Sequence, residues 1–112
     1  LLELAPQKRL YGLDSFGGFP KTNVRRIDLG TFRFLPSVRK KFRDCEDAPQ
    51  RLKKFFATYG VQGETVRGFF QDSLPLFEKH QFCFVHLDCD IYDSYHECLN
   101  HLYQRVVPGG VI

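Results

Sequence analysis

Apolar and polar positions divide the chain into short segments with two different periods. Residues 1–5, LLELA, read as the end of a helix stopped near Pro6. KRLYGLD follows, and apolar Leu10, Tyr11 and Leu13 predict a strand over residues 9–14. SFGGFP is then a glycine- and proline-rich loop. Residues 21–36 carry no clear period and read as a long connection. Ser37 can cap a short basic helix over residues 38–45. The helix in DAPQRLKKFFATYG is clearer: Asp47 can cap it, Pro49 lies in its first turn, and Gly60 falls just past its end. Leu52, Phe55, Phe56 and Tyr59 recur at helical spacing and predict one buried stripe. ETVRGFF is a strand candidate, turned by QDSLP. QFCFVHLD is the strongest strand, short and nearly all apolar, as expected when helices cover both faces. DSYHECLNHLYQRV reads as a helix with Tyr95, Cys98, Leu99, Leu102 and Val106 on one side. VPGG ends it, and VI opens another strand.

The elements so read run α-β-α-α-β-α-β-α-β. Strands alternating with helices predict an α/β fold with a doubly wound, mostly parallel sheet. In such sheets ligands bind beyond the carboxyl ends of the strands. Asp14, the turn at residues 68–72 and the pair Asp88 and Asp90 all fall at carboxyl ends, so topology alone predicts that they line one rim.

Composition narrows the class. A length of 112 residues allows at most one domain. The formal charge of +3 is mild, and the densest basic run, VRKKFR, reads as a solvated helix face. No glycine-aromatic RNA-binding signature or finger spacing occurs, so a nucleic-acid partner is not expected. Cys45, Cys83, Cys89 and Cys98 form no C-x-x-C pair, which argues against metal knuckles and secreted disulfide frameworks. Reduced thiols in a cytoplasmic protein are the expectation. Apolar runs are too short to span a bilayer, so no membrane partner is expected either. The chain starts inside a helical pattern and stops as a strand begins, so it reads as a fragment of a larger domain.

Each rim residue has a functional and a structural reading. A carboxylate at Asp14 can accept both hydroxyl protons of a ribose, or it can close an Asx-turn in DSFGG. Gly68 lets a flat ligand approach, Phe69 or Phe70 can stack on a base, and Gln71 can meet a base edge. The plainer reading puts both Phe rings in the core. Alternation puts His86, Asp88 and Asp90 on one side of the strand. Two acids there suit cation binding, proton acceptance or the holding of ligand hydroxyls. Asp90 or Asp93 is better read as a cap for the following helix. Asp88 follows an apolar run, where a charge is costly without a partner, and is the functional choice. His86 reads as a hydrogen-bonded core residue, and His80, His96 and His101 as surface or helix residues. Cys89 reads as a small packing residue.

YGLDSFGGFP, VRGFFQDSLP and FVHLDCDIYDSYHECLNHLYQRVVPGGVI together resemble the macrocin O-methyltransferase (TylF/MycF-like) family of class I S-adenosylmethionine-dependent methyltransferases. The likeness runs from Tyr11 to Ile112 and is poor between Thr22 and Asp47. It implies a Rossmann-like, seven-stranded sheet flanked by helices, of which this chain holds the second strand to the start of the fifth. It also implies a small-molecule substrate, with a hydroxyl on a sugar or other part of a natural product as the methyl acceptor. By the resemblance, Asp14 and Ser15 meet the cofactor ribose. Phe70, Gln71 and Asp72 lie beside the adenine, and Asp88 sits near the sulfonium methyl and the acceptor hydroxyl. In metal-dependent members of the family, Asp88 is a Mg²⁺ ligand. The family's first strand and glycine-rich loop have no counterpart in the chain. A gap is therefore expected between the strand ending in Asp14 and the strand leading to Asp88, and the chain alone is not expected to bind cofactor.

Two other functions fit parts of the pattern. LDCDIY alone suits the Asp-x-Asp of a nucleotide-sugar glycosyltransferase, where the two acids hold Mn²⁺ and the diphosphate. A catalytically inactive methyltransferase-like binding module would keep the fold without the chemistry.

Overall fold

A computed structural model describes residues 7–18 and 47–112. The helix expected in residues 1–5 and the basic helix expected over residues 38–45 lie outside the described residues. Among the described residues four strands are formed: β1 (Leu10–Asp14), β2 (Gly63–Arg67), β3 (Phe82–Phe84) and β4 (Val106–Val111). Between them lie α1 (Ala48–Thr58), the single-turn α2 (Phe70–Ser73) and α3 (Tyr92–Leu102). A 3₁₀ turn, Leu74–Phe77, extends α2, and another, Tyr103–Arg105, extends α3.

The strands form two parallel pairs. β1 lies on β2 in unbroken register from Leu10 opposite Gly63 to Asp14 opposite Arg67. β3 lies on β4, with Phe82 opposite Val106 and Phe84 opposite Val111. No ladder joins the pairs among the described residues. Side chains bridge them instead. The Tyr11 ring of β1 meets Phe77 edge-on with centroids 4.9 Å apart, and Phe77 lies 6.2 Å from Phe82 of β3. His80 packs against all three rings. Edge-on aromatic pairs at such distances are attractive beyond their buried area. Beside this bridge, Leu74, Val85, Cys89, Cys98 and Leu102 form the core, flanked by Leu13, Phe70, Phe82, Leu87 and Val106. Leu13 thus ties β1 to the core under β3 and α3.

Several sequence expectations need correction. The strand expected to run to Asp88 ends at Phe84, followed only by a bond from the Val85 N–H to the Val111 carbonyl. Phe84 lies opposite Val111, the last residue of β4, so the continuation of β3 has no β4 residue to pair with. His86 is exposed, not a core residue. Inside–outside alternation nevertheless continues: Val85, Leu87 and Cys89 turn inward, while Phe84, His86 and Asp88 stay exposed. β4 begins at Val106 rather than after VPGG. Its Pro108 and Gly109 fall in a bulge, where the missing proline N–H costs no ladder bond and Gly109 can take its φ of 81°.

The stripe expected on α1 is also narrower than its period suggests. Phe56 is buried and Leu52 partly so, but Phe55 is 50% and Tyr59 69% exposed. Phe56 is the one buried residue of α1. The Phe56 ring occupies the space above Gly63, where an added Cβ would meet it at 2.6 Å. Phe55 and Tyr59 instead pack on each other, 4.6 Å apart. On α3, Cys98 and Leu102 are buried as expected, whereas Leu99 and Tyr95 stay largely exposed. QDSLP, expected to turn, forms α2 and the start of its 3₁₀ extension. Gly60 ends α1 in the left-handed conformation, φ 63°, as expected.

Gly63→Ala is expected to destabilise the fold by about 1–3 kcal/mol, because the methyl overpacks Phe56. A urea midpoint unchanged from the parent protein would contradict the close approach of α1 to β2.

Candidate cofactor-binding rim

The carboxyl end of β1 is built as a closed turn. The Phe16 N–H donates to Asp14 Oδ1 at 2.6 Å, so the Asx-turn reading of Asp14 is realised. The Ser15 hydroxyl donates to the Gly18 carbonyl at 2.6 Å and accepts from the Gly17 N–H at 3.3 Å. Phe16 is buried with φ 50°, a left-handed conformation that costs a bulky residue about 1–2 kcal/mol. Burial of its ring and the Asp14 bond offset that strain. The second carboxylate oxygen of Asp14 has no partner among the described residues. Asp14 is therefore oriented through one oxygen and open through the other, so its two readings are compatible.

The second rim element is bonded directly to the first. The Gly68 N–H donates to the Asp14 carbonyl at 3.0 Å, continuing the register of β1 and β2. The chain then enters α2. Phe70 is partly buried and packs against the core, while Phe69 is the more exposed ring of the pair. Gln71 and Asp72 are exposed on the first turn of α2. From sequence the two rings are equivalent, because adjacent residues at a strand end do not reveal which one turns inward.

The third element follows β3. Asp88 and Asp90 are both exposed, on the same side as His86. Asp90 does not cap α3: the cap position is Ile91, with no side-chain bond. Asp90 instead takes φ 62°, a conformation that Asp tolerates better than most residues, and turns the chain toward the helix. Asp93 lies in the first turn of α3, where negative charge suits the helix dipole. The Asp88 carboxylate has no hydrogen-bond or ion-pair partner among the described residues. Its strand end is steadied from behind, where the Tyr95 hydroxyl donates to the Leu87 carbonyl at 3.3 Å. Tyr95 is legible in the sequence only as part of a helix face; its contact with the residue before Asp88 depends on how α3 folds back.

Beneath this element, Cys89 and Cys98 lie with sulfurs 3.7 Å apart. The Cys98 thiol, as donor, holds Cys89 below the ordinary thiol range, against the opposing effect of burial. The same contact and burial push Cys98 well above that range.

The structure bonds Asp14 to Gly68 and sets Asp88 at the carboxyl end of the other strand pair. No contact joins Asp88 to Asp14 among the described residues. Among those residues, no group of three or more His, Cys, Asp or Glu side chains is placed to hold a metal ion. A concavity of about 330 Å³ lies between Arg9, Leu10, Tyr11, Gln62, Gly63 and Glu64. It sits at the amino ends of β1 and β2, opposite the rim, and brings together no chemistry-bearing constellation.

The sequence profile described as Macrocin-O-methyltransferase (TylF) matches residues 2–112. The chain belongs to the TylF macrocin O-methyltransferase family. The mycinamicin III 3''-O-methyltransferase of Micromonospora griseorubida is 29% identical over 103 residues, 87% of this chain and 39% of that protein. A tetracenomycin 4'-O-methyltransferase of Streptomyces olivaceus, named for a dimethoxy-rhamnosyl substrate, is 32% identical across 94% of this chain and 40% of its own length. The TylF-family chain thus spans about two-fifths of the curated relatives it matches. The crystal structure of a calicheamicin methyltransferase aligns with TM-score 0.58 and 21% identity, covering 95% of this chain and 45% of that one. This agrees with the expected α/β fold of parallel strands. These family matches give the glycosyltransferase reading of Asp88-Cys89-Asp90 no support. No helix among the described residues is long and apolar enough to cross a membrane.

Asp14→Ala is expected to lower stability by about 1.5 kcal/mol, because the Phe16 N–H loses its acceptor in a strained turn. Asp14→Asn keeps an acceptor oxygen and is expected to stay near the parent value. Equal loss in both variants, read by thermal or urea unfolding, would show that the turn depends on the charge rather than on the bond.

Proposed function

We propose that the chain forms the second to fifth strands of a class I methyltransferase domain, which transfers the methyl group of S-adenosylmethionine to a sugar hydroxyl of a small natural product. The observation that carries this reading is the Asp14 carboxylate. It stands at the carboxyl end of a parallel strand with one oxygen fixed by Phe16 and the other open, bonded through its backbone to Gly68. A carboxylate oxygen left open at that position can accept hydrogen bonds from ribose hydroxyls. The groups present fit the cofactor: an open carboxylate to accept, a glycine edge, the exposed Phe69 ring and the Gln71 amide stand on adjoining segments.

S-adenosylmethionine supplies an electrophilic methyl group when bound. The chain's own residues have three tasks. Asp14 accepts the ribose hydroxyls, and the Ser15 hydroxyl, engaged with Gly18, holds the turn that aims it. The segment of Gly68, Phe69, Phe70, Gln71 and Asp72 offers an apolar surface and polar edges to the adenine, with Phe70 backing it from the core. Asp88 acts on the acceptor side, where a carboxylate can hold the hydroxyl in line and take up its proton. One carboxylate suffices for that role, and Asp88 both positions the hydroxyl and accepts its proton. We assign the protein to the cytoplasm, where thiols such as Cys89 and Cys98 ordinarily stay reduced.

In the full-length protein, Asp14→Asn is expected to weaken S-adenosylhomocysteine binding about 10- to 100-fold, the loss of a hydrogen bond to a charged acceptor. Asp88→Asn is expected to lower kcat about 10²- to 10⁴-fold with little change in that affinity. Calorimetry and methyl transfer to glycosylated acceptors measure the two. Cofactor binding without transfer to any hydroxyl acceptor would favour the inactive binding module. Thermal stabilisation by a UDP-sugar with Mn²⁺, and none by S-adenosylhomocysteine, would overturn the methyltransferase reading.

A further inference from the structure

We propose that Cys89 and Cys98 form a reversible disulfide directly beneath the rim, with a hydroperoxide as the oxidant. The two sulfurs lie 3.7 Å apart inside the core cluster. A disulfide bond of about 2.05 Å requires them to close by under ~2 Å. Cys98 is fixed on α3, but Cys89 sits in the segment between β3 and α3, which no strand ladder holds. Cys89 can therefore move while the helix stays in place. Cys83, the other described cysteine, is exposed on β3 and has no thiol bonded to it among the described residues. The sequence contains no Met and no Trp, so thiols are its principal targets for mild peroxide.

The two thiols and one peroxide molecule suffice for the reaction. Cys89 is the less buried of the two, 8% against 2% exposed, and takes the first step. Its sulfur attacks a peroxide oxygen, the O–O bond breaks, and a sulfenic acid forms as water leaves. The Cys98 sulfur then attacks the Cys89 sulfur. The S–S bond forms, the S–O bond breaks, and a second water departs. Two thiols lose two electrons, and hydrogen peroxide is reduced to two waters. A dithiol reductant reverses the change by exchange.

The cross-link would act on the rim because Cys89 separates Asp88 from Asp90. Its carbonyl accepts the Ile91 N–H at 2.7 Å, at the entry to α3. Drawing its sulfur onto the helix re-aims Asp88. That consequence rests on the role given to Asp88 above; the cross-link itself does not. Transient, sensing disulfides are the kind that cytosolic proteins carry.

The test treats the full-length protein with hydrogen peroxide, alkylates the remaining thiols and digests it on the amino side of aspartate. Asp44, Asp72, Asp88, Asp90 and Asp93 then place Cys45, Cys83, Cys89 and Cys98 on four separate peptides. The expected product joins the Cys89 fragment to the peptide beginning at Asp93, with loss of two hydrogens, and separates on reduction. Recovery of Cys89 and Cys98 on unlinked peptides, or joined to Cys45 or Cys83 instead, would overturn the proposal. Cys98→Ser is expected to leave Cys89 as a sulfenic acid, trapped by a 1,3-diketone, whereas Cys89→Ser should leave Cys98 untrapped. Equal trapping at Cys98 in Cys89→Ser would overturn the order of the steps.

Discussion

The structure depends on a packing contact where a hydrogen-bonded ladder is missing. Among the described residues β1 and β3 are not paired, and no ladder there holds the Asp14 half in register with the Asp88 half. Tyr11, Phe77 and Phe82 span that interval, with His80 packed against all three rings. Leu13 reinforces them by reaching the core that α3 shares with β3. Aromatic contacts are individually modest and tolerate small shifts better than a ladder does. They can join two strand pairs without fixing the spacing between their edges as a third strand would.

The two halves of the rim differ in the same way. Within the first pair, geometry is tight: an unbroken parallel register carries Asp14 to Gly68, and a second bond closes the Asx-turn on Phe16. Within the second pair, β3 is three residues long and its continuation is held by side chains. Val85, Leu87 and Cys89 point into the core and leave His86 and Asp88 outside. Asp88 is thus positioned by burial of its neighbours, by the Tyr95 hydroxyl on Leu87 and by the thiol pair below. The most strongly ordered part of the rim is the part assigned to the cofactor. The more adjustable part is the one assigned to the acceptor, which differs among the relatives as named.

Much of this was legible in the sequence where local rules and tertiary context agree. β1 and α1 appear within a residue or two of their expected bounds, because each is flagged by its own caps, glycines or alternation, whereas the strand expected over ETVRGFF ends at Arg67 and gives Phe70 to α2. The three carboxyl-end positions followed from alternating strands and helices alone. Failures occur where a neighbour decides. The apolar run ending at Leu87 reads as a strand buried on both faces, yet Phe84 already lies opposite Val111, the last residue of β4, and the residues after it have no β4 residue to pair with. The period of α1 predicts four buried residues, but a helix buries only what its support covers, and β2 covers Phe56. VPGG reads as a stop signal, although a bulge accepts both residues within β4. Which of Phe69 and Phe70 faces the core, and that Cys89 would meet Cys98, depend on how α2 and α3 fold back.

The central claim is that the carboxyl-end rim of β1 and β2, carried on the aromatic bridge, receives the methyl donor through Asp14. A crystal structure of the full-length protein with S-adenosylhomocysteine tests it most directly. The ribose hydroxyls are expected on the open oxygen of Asp14, the adenine against the segment from Gly68 to Asp72, and the sulfur facing Asp88. A ligand seated between Arg9 and Glu64 at the opposite end of the strands, or a ribose with no bond to Asp14, would contradict it.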